Sequence, residues 1–213
     1  PYDAPRPADH GTSVVSIIAG NSPAYRGLAP DAEIFEASVF FAAPDGGVSA
    51  TTESIVRAID WLARENVSVI NLSLAGPPNE ILKGAVARAQ ARGVAVVAAV
   101  GNGGPLARPL FPAAYEGVIG VTAVTANKHV YRLANRGDQV DFAAPGVDVL
   151  HADGNGGYAA ASGTSIAAPF VATVVAAALR DGRLDPGALK KLEANAEDLG
   201  DRGRDPVYGY GLI

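Results

Sequence analysis

The chain has 213 residues, 48% hydrophobic and 18% charged, enough apolar material for one sizeable globular domain. A net charge of −5 with no basic block argues against a nucleic-acid partner. The absence of cysteine excludes disulfides, thiolate metal sites and a cysteine nucleophile. Apolar runs such as Val94–Val100 are too short to span a bilayer, so no membrane span is expected. No signal peptide is recognisable, and a start at Pro1 without Met reads as a processed or trimmed terminus.

In chain order, Asp9-His10-Gly11-Thr12 opens an apolar helix, Ser13–Ala19. Ala32–Val39 reads as a strand. Thr52–Glu65 carries Ile55, Ile59 and Trp61-Leu62 at helical spacing, with Glu53 in an acidic first turn. Val67–Leu72 is a continuous apolar strand. Glu80–Arg92 is a helix closed by Gly93, and Val94–Val100 is another buried strand. Val118–Val124 and Gln139–Ala143 are further strand candidates. Ala167–Arg180 reads as a buried helix and Pro186–Ala196 as a more amphipathic one. The alternation predicts an α/β fold, a parallel β-sheet with helices on both faces. There is no repeat, low-complexity segment or linker, so residues 1–213 read as one domain.

Three segments carry chemistry. Asp9-His10-Gly11-Thr12 places an imidazole at a helix start. Ala98-Ala99-Val100-Gly101-Asn102-Gly103-Gly104 ends a buried strand in a Gly-rich turn with one Asn. Gly163-Thr164-Ser165-Ile166-Ala167-Ala168-Pro169 puts a serine in a turn that opens the buried helix. A helix start offers unpaired N–H groups and partial positive charge, so a serine there can act as a nucleophile whose oxyanion is stabilised. Taken singly, these are an ordinary capping His, an Asn-Gly turn and a Ser N-cap.

Together, in the order His, Asn, Ser, they resemble the subtilisin-like serine proteases (subtilases, peptidase family S8). His10-Gly11-Thr12 is similar to the family's histidine motif, Gly101-Asn102 to its oxyanion turn and Gly163–Pro169 to its nucleophile motif. Asn71-Leu72-Ser73-Leu74-Ala75-Gly76 resembles its substrate-binding strand. Phe111-Pro112-Ala113, Ala144-Pro145-Gly146 and Tyr208–Ile213 resemble weaker landmarks. The likeness runs from His10 to Ile213 and implies a subtilisin-like three-layer αβα fold. It implies a serine endopeptidase working through an acyl-enzyme, with Ser165 as nucleophile and His10 as general base. The Asn102 amide and the Ser165 N–H would bind the oxyanion. Ser73, Leu74, Ala75 and Gly76 would offer a peptide an extended edge, beside Gly101 and Leu110. His129 and His151 match no motif and read as surface or loop residues. The resemblance calls for no cofactor, favours a secreted or periplasmic location, and the Ala/Arg/Gly-rich composition suggests a bacterial source.

The family's third triad member is an Asp on a strand well before the His, and only nine residues precede His10 here. Asp3 lies in a Pro-rich stretch, Asp9 adjoins the His, and Asp31 sits in a turn. The catalytic domain therefore reads as N-terminally incomplete. The Asp-bearing segment is cut away but bound or absent from the record, or it comes from a second chain, or the protein is an impaired protease used for peptide binding. Intact His10, Asn102 and Ser165 favour the first two, and an N-terminal strand is expected to occupy the gap. The segment Gly20–Gly27 lacks a carboxylate cluster, and calcium wants about six to eight oxygen ligands, so no metal is expected there. Leu110 falls where the family tends to place a small residue at the base of the S1 pocket. That implies a preference for small or medium apolar P1 residues, unless Leu110 turns into the core.

Overall fold

The structure, a computed structural model, describes residues 9–42, 48–179 and 181–213. The first helix, α1 (Asp9–Ala19), holds its early turns with Ser13 Oγ donating to Asp9 O (2.7 Å) and Ser16 Oγ to Ser13 O (2.9 Å). Two short antiparallel pairs follow, β1 (Asn21–Ser22) with β2 (Tyr25–Arg26) and β3 (Phe40–Ala42) with β4 (Val48–Ala50). The segment 20–27 expected to lack a metal is largely the first of these hairpins.

Helix α2 (Thr52–Arg64) starts where Thr51 Oγ1 accepts the Ser54 N–H, and α3 (Glu80–Ala91) where Asn79 Oδ1 accepts two. The second ends with Gly93 at φ +86°, a left-handed position suited to glycine. Between and after them lie β5 (Val69–Leu72), β6 (Ala95–Ala99), β7 (Ile119–Val124) and β8 (Phe142–Pro145). These pair in parallel in that order, consecutive strands lying side by side. A hairpin of β9 (Val149–Ala152) and β10 (Tyr158–Ala161) leads into α4 (Thr164–Ala178), and α5 (Pro186–Asn195) follows.

The sheet is apolar on both faces, as a parallel sheet must be when helices cover it. Val96, Ala98 and Val100 meet Val86, Ala89 and Ile59 on the α2/α3 face. Val97, Ala99, Val121 and Ala123 meet Ala168, Val171 and Val175 of α4 on the other. The three-layer α/β architecture expected from the sequence is present. Most elements fall within two residues of their expected bounds.

Two expectations need correction. Ala32–Val39 is not a strand: no ladder forms along it, and most of it is exposed. Among the described residues it joins no sheet, and a cavity of about 1040 Å³ is lined both by this segment and by residues 66–74 around β5. Among the described residues β5 is the sheet's edge, with one side unpaired. The strand expected over Gln139–Ala143 begins only at Phe142. Before it, Val140 N–H closes a turn onto Gly137 O (3.1 Å), which consumes the backbone that a longer ladder would need.

Candidate functional site

The candidate residues sit at the carboxyl ends of parallel strands and the starts of two helices, where α/β folds place their sites. Strand β5 runs out into Ser73–Gly76, and β6 into Gly101-Asn102. His10 is the second residue of α1 and Ser165 the second of α4, and these two helices pack together.

Ser165 is half-buried at the first turn of α4. Pro169, four residues on, has no N–H, so the Ser165 carbonyl loses the helical donor it would otherwise have. Ser73 Oγ donates to it instead at 2.7 Å and itself receives a bond from Asn71 Nδ2 at 2.9 Å. The nucleophile turn is thus tied directly to the end of β5. Beneath it, Gly163 N–H donates to Gly146 O (2.8 Å). A Cβ on Gly146 would stand 2.6 Å from that of Ala123 and 2.9 Å from that of Ala167, so only glycine fits.

Asn102 is held by Thr164. Its Oδ1 accepts the Thr164 N–H at 3.0 Å and the Thr164 hydroxyl at 3.1 Å. The same hydroxyl oxygen accepts the Gly101 N–H at 3.1 Å. With Oδ1 fixed on Thr164, the amide Nδ2 is the end left to donate. Nδ2 and Ser165 Oγ flank the same Gly163 Cα: a Cβ built there would lie 3.2 Å from one and 3.5 Å from the other. An amide donor beside a serine hydroxyl at a helix start can stabilise an anion that forms on a carbonyl attacked by that hydroxyl.

The imidazole of His10 is partly buried and stands edge-on to Phe40, 6.1 Å between ring centres. Burial holds its pKa below the ordinary 6.5, and the neighbouring His151 pushes it further down. His151 corrects the sequence reading: it is a strand residue of β9, only 6% exposed, with Nδ1 at 2.9 Å from Ala152 O. A carbonyl can only accept, so that contact assigns the proton to Nδ1. Nothing local distinguished it, since one histidine in a four-residue strand has no pattern to read. His129 is exposed, as expected.

Burial and His151 are the causes of the His10 shift, with no carboxylate of the described residues among them. Asp9 is exposed with its carboxylate against Gly154, and Asp31 is exposed in a turn. Asp3 lies outside the described residues.

Of the expected substrate-binding residues, Gly76 forms a two-bond antiparallel bridge with Phe111 (2.8 and 2.9 Å). Among the described residues no backbone bond is made by Leu74 or Ala75, and Ala75 is exposed. Leu110 is half-buried with its side chain toward Gly101, where a Cβ would stand 2.6 Å from Leu110 Cδ1. No group of His, Asp or Glu among the described residues is arranged to hold a metal ion.

The chain is 34% identical to the Minor extracellular protease Epr of Bacillus subtilis (strain 168) over 209 residues, 96% of this chain but only 32% of Epr. It is 35% identical to Subtilisin DY of Bacillus licheniformis over 212 residues, 96% of this chain and 75% of that protein. Against Subtilisin E of Bacillus subtilis (strain 168) it spans 54% of the relative. Among solved structures it superposes on the S41 Psychrophilic Protease with a TM-score of 0.82 at 26% identity, covering 96% of this chain and 76% of the other. The Prenylagaramide maturation protease PagA gives 0.78 at 27% identity, with 96% and 79% covered. Residues 1–211 match the family model Peptidase_S8, the subtilase family, and the chain belongs to that family of serine proteases.

Proposed function

We propose that this chain is a catalytic part of a serine endopeptidase that hydrolyses peptide bonds through an acyl-enzyme. Ser165 Oγ attacks the scissile carbonyl, and His10 takes its proton and returns it to the leaving amine. The Asn102 amide and the Ser165 N–H receive the oxyanion, and the substrate lies along Ser73–Gly76 as an added strand. The observation that carries this reading is the pair of hydrogen bonds from Thr164 to Asn102 Oδ1, which leaves Nδ2 as the donor available beside the Ser165 turn. Extracellular relatives support a secreted or periplasmic location.

The carboxylate that orients His10 comes, on this reading, from an extended segment lodged in the cavity beside β5. It is either an N-terminal fragment that stays bound or a strand from a second chain. Among the described residues β5 is the edge of the sheet, and both it and the segment 32–39 border that cavity, which leaves room for an extended segment between them. Asn71, which lines it, keeps a buried Oδ1 that no described residue bonds. Leaving sheet edges and apolar surface uncovered is costly, so such a strand would stabilise the fold as well as complete the site.

The rival reading, an impaired subtilase-fold module that binds peptides, draws on the absence of a described carboxylate behind His10. A fluorophosphonate serine probe separates the two. Covalent labelling at Ser165, abolished in Ser165→Ala, is expected of the enzyme. A chain that binds peptides at Ser73–Gly76 yet resists the probe would establish the module.

A further inference from the structure

The oxyanion loop is gripped from two sides, and only one of them is the nucleophile turn. Thr164 holds the Asn102 side chain. The backbone on either side of Asn102 is held by Asn135, thirty-odd residues downstream and fully buried at 0% exposure. The Asn135 N–H donates to Gly101 O at 3.0 Å. Its Oδ1 accepts the Gly103 N–H at 2.7 Å. Its Nδ2 donates to Arg108 O at 3.2 Å, where the loop returns. Two residues earlier in the chain, Leu133 O accepts the Gly104 N–H at 2.8 Å. The carboxamide is pressed against the loop: Cβ atoms built on Gly101 and Gly103 would lie 3.1 and 3.2 Å from its two polar atoms.

We propose that Asn135 is a positioning residue for the oxyanion donor, fixing the Gly101-Asn102-Gly103 backbone so that the Asn102 amide needs no reorganisation when the oxyanion forms. It touches no substrate and acts wholly through Asn102, so it rests on the protease reading above. The residue type follows from the site. The pocket asks for one acceptor and one donor on a short planar group, without a charge. A carboxylate supplies the acceptor for Gly103 but nothing for Arg108 O, and would bury a charge. Leucine matches the shape and supplies neither. A loop with glycines on both sides of Asn102, Gly101 at φ +105°, has the conformational freedom to wander if those bonds are lost. Preorganised donors owe their effect to being held before the charge appears.

The test is a double-mutant cycle on the full chain, read as the rate of fluorophosphonate labelling at Ser165 and, with peptide substrates, as kcat and KM. Asn102→Ala is expected to slow labelling by roughly 100- to 1000-fold. Asn135→Leu is expected to lower kcat by roughly 10- to 100-fold with KM within a few-fold, and Asn135→Asp to recover part of it. In the Asn102→Ala background, Asn135→Leu should cost almost nothing further. An equal factor with and without Asn102 would overturn the assignment, leaving Asn135 as scaffold only. A second readout is independent of activity and remains available through Asn135→Ala, which also removes both bonds, should the Leu variant fail to fold. Amide exchange at Gly103 and the side-chain amide resonances of Asn102 should change in the variants while the sheet amides do not. Unchanged loop signals would overturn the proposal even in an active protein. A wild-type chain that refuses the probe would overturn the protease reading alone, with the exchange measurement still deciding whether Asn135 holds the loop.

Discussion

A histidine that must take a proton from a serine is useful only while neutral. Burial and His151 both favour the neutral ring of His10, so its base form persists below the ordinary value of 6.5. A carboxylate placed behind the ring would act in the opposite sense and raise it. The acid limb of the probe-labelling rate should therefore lie below pH 6.5 for this chain alone, and move upward when an Asp-bearing strand is supplied. A pH–rate profile in both conditions checks it; a limb above 6.5 without the strand counts against the assignment. Leu110 offers a second test at the same scale. Its side chain turns toward Gly101, and on the proposed reading it would narrow the P1 pocket. Leu110→Gly should shift kcat/KM toward peptides with Phe or Tyr at P1 by about 10-fold or more, since a methylene in such a pocket is worth about 1–3 kcal/mol. Equal gains for small and aromatic P1 side chains would show that Leu110 belongs to the core.

At the scale of elements, the site is where three ends meet: the start of α4, the end of β5 and the end of β6. Pro169 frees the Ser165 carbonyl, Ser73 captures it, and Thr164 spans to Asn102, so the three ends cannot shift independently. The fourth participant is the strand expected between β5 and Ala32–Val39. A synthetic extended apolar peptide ending in Asp-Thr-Gly should raise the melting temperature of the chain and its turnover, the latter by as much as ~10⁴-fold. The same peptide with Asn for Asp should retain the thermal shift and lose the rate. Absence of any thermal shift would refute the strand slot; a shift without rate from the Asp peptide would refute the triad role.

For the molecule as a whole, the carboxyl terminus is stitched into the far end of the sheet. Leu212 bridges to both Ala143 and Glu197, and Tyr210 N–H donates to Asp141 O (2.7 Å). The Asp141 carboxylate accepts from Gly120 N–H (2.8 Å) and meets Arg204 at 3.2 Å. Burial nonetheless raises its pKa above the ordinary 3.8, outweighing the bonds from Gly120 and Arg204. The folded state thus holds this proton more firmly than the unfolded one. The stabilising contribution is complete below about 3.8 and is lost as pH rises through the elevated folded value. Asp141→Asn, which does not titrate, should gain melting temperature relative to the wild type as pH climbs through that window. A difference that stays constant with pH would rule the linkage out.

The local pattern of this chain settled the alternation of strands and helices, the helices starting at Glu80 and Pro186, and the motif segments around His10, Asn102 and Ser165. Apolar periodicity, caps and turn glycines act over a few residues, and those were readable in place. Ala32–Val39 shows the limit: its composition suits a strand, but a strand exists only when a neighbour supplies its ladder. His151 and Asn135 carry no local signal either, because what makes them matter is a histidine 141 positions away and a loop 32 positions away in the numbering. Only the tertiary structure decided that Thr164 ties down Asn102 Oδ1 beside the serine turn and that, among the described residues, β5 stands at the edge of the sheet. Both depend on which distant segments pair, and no stretch of sequence holds both partners.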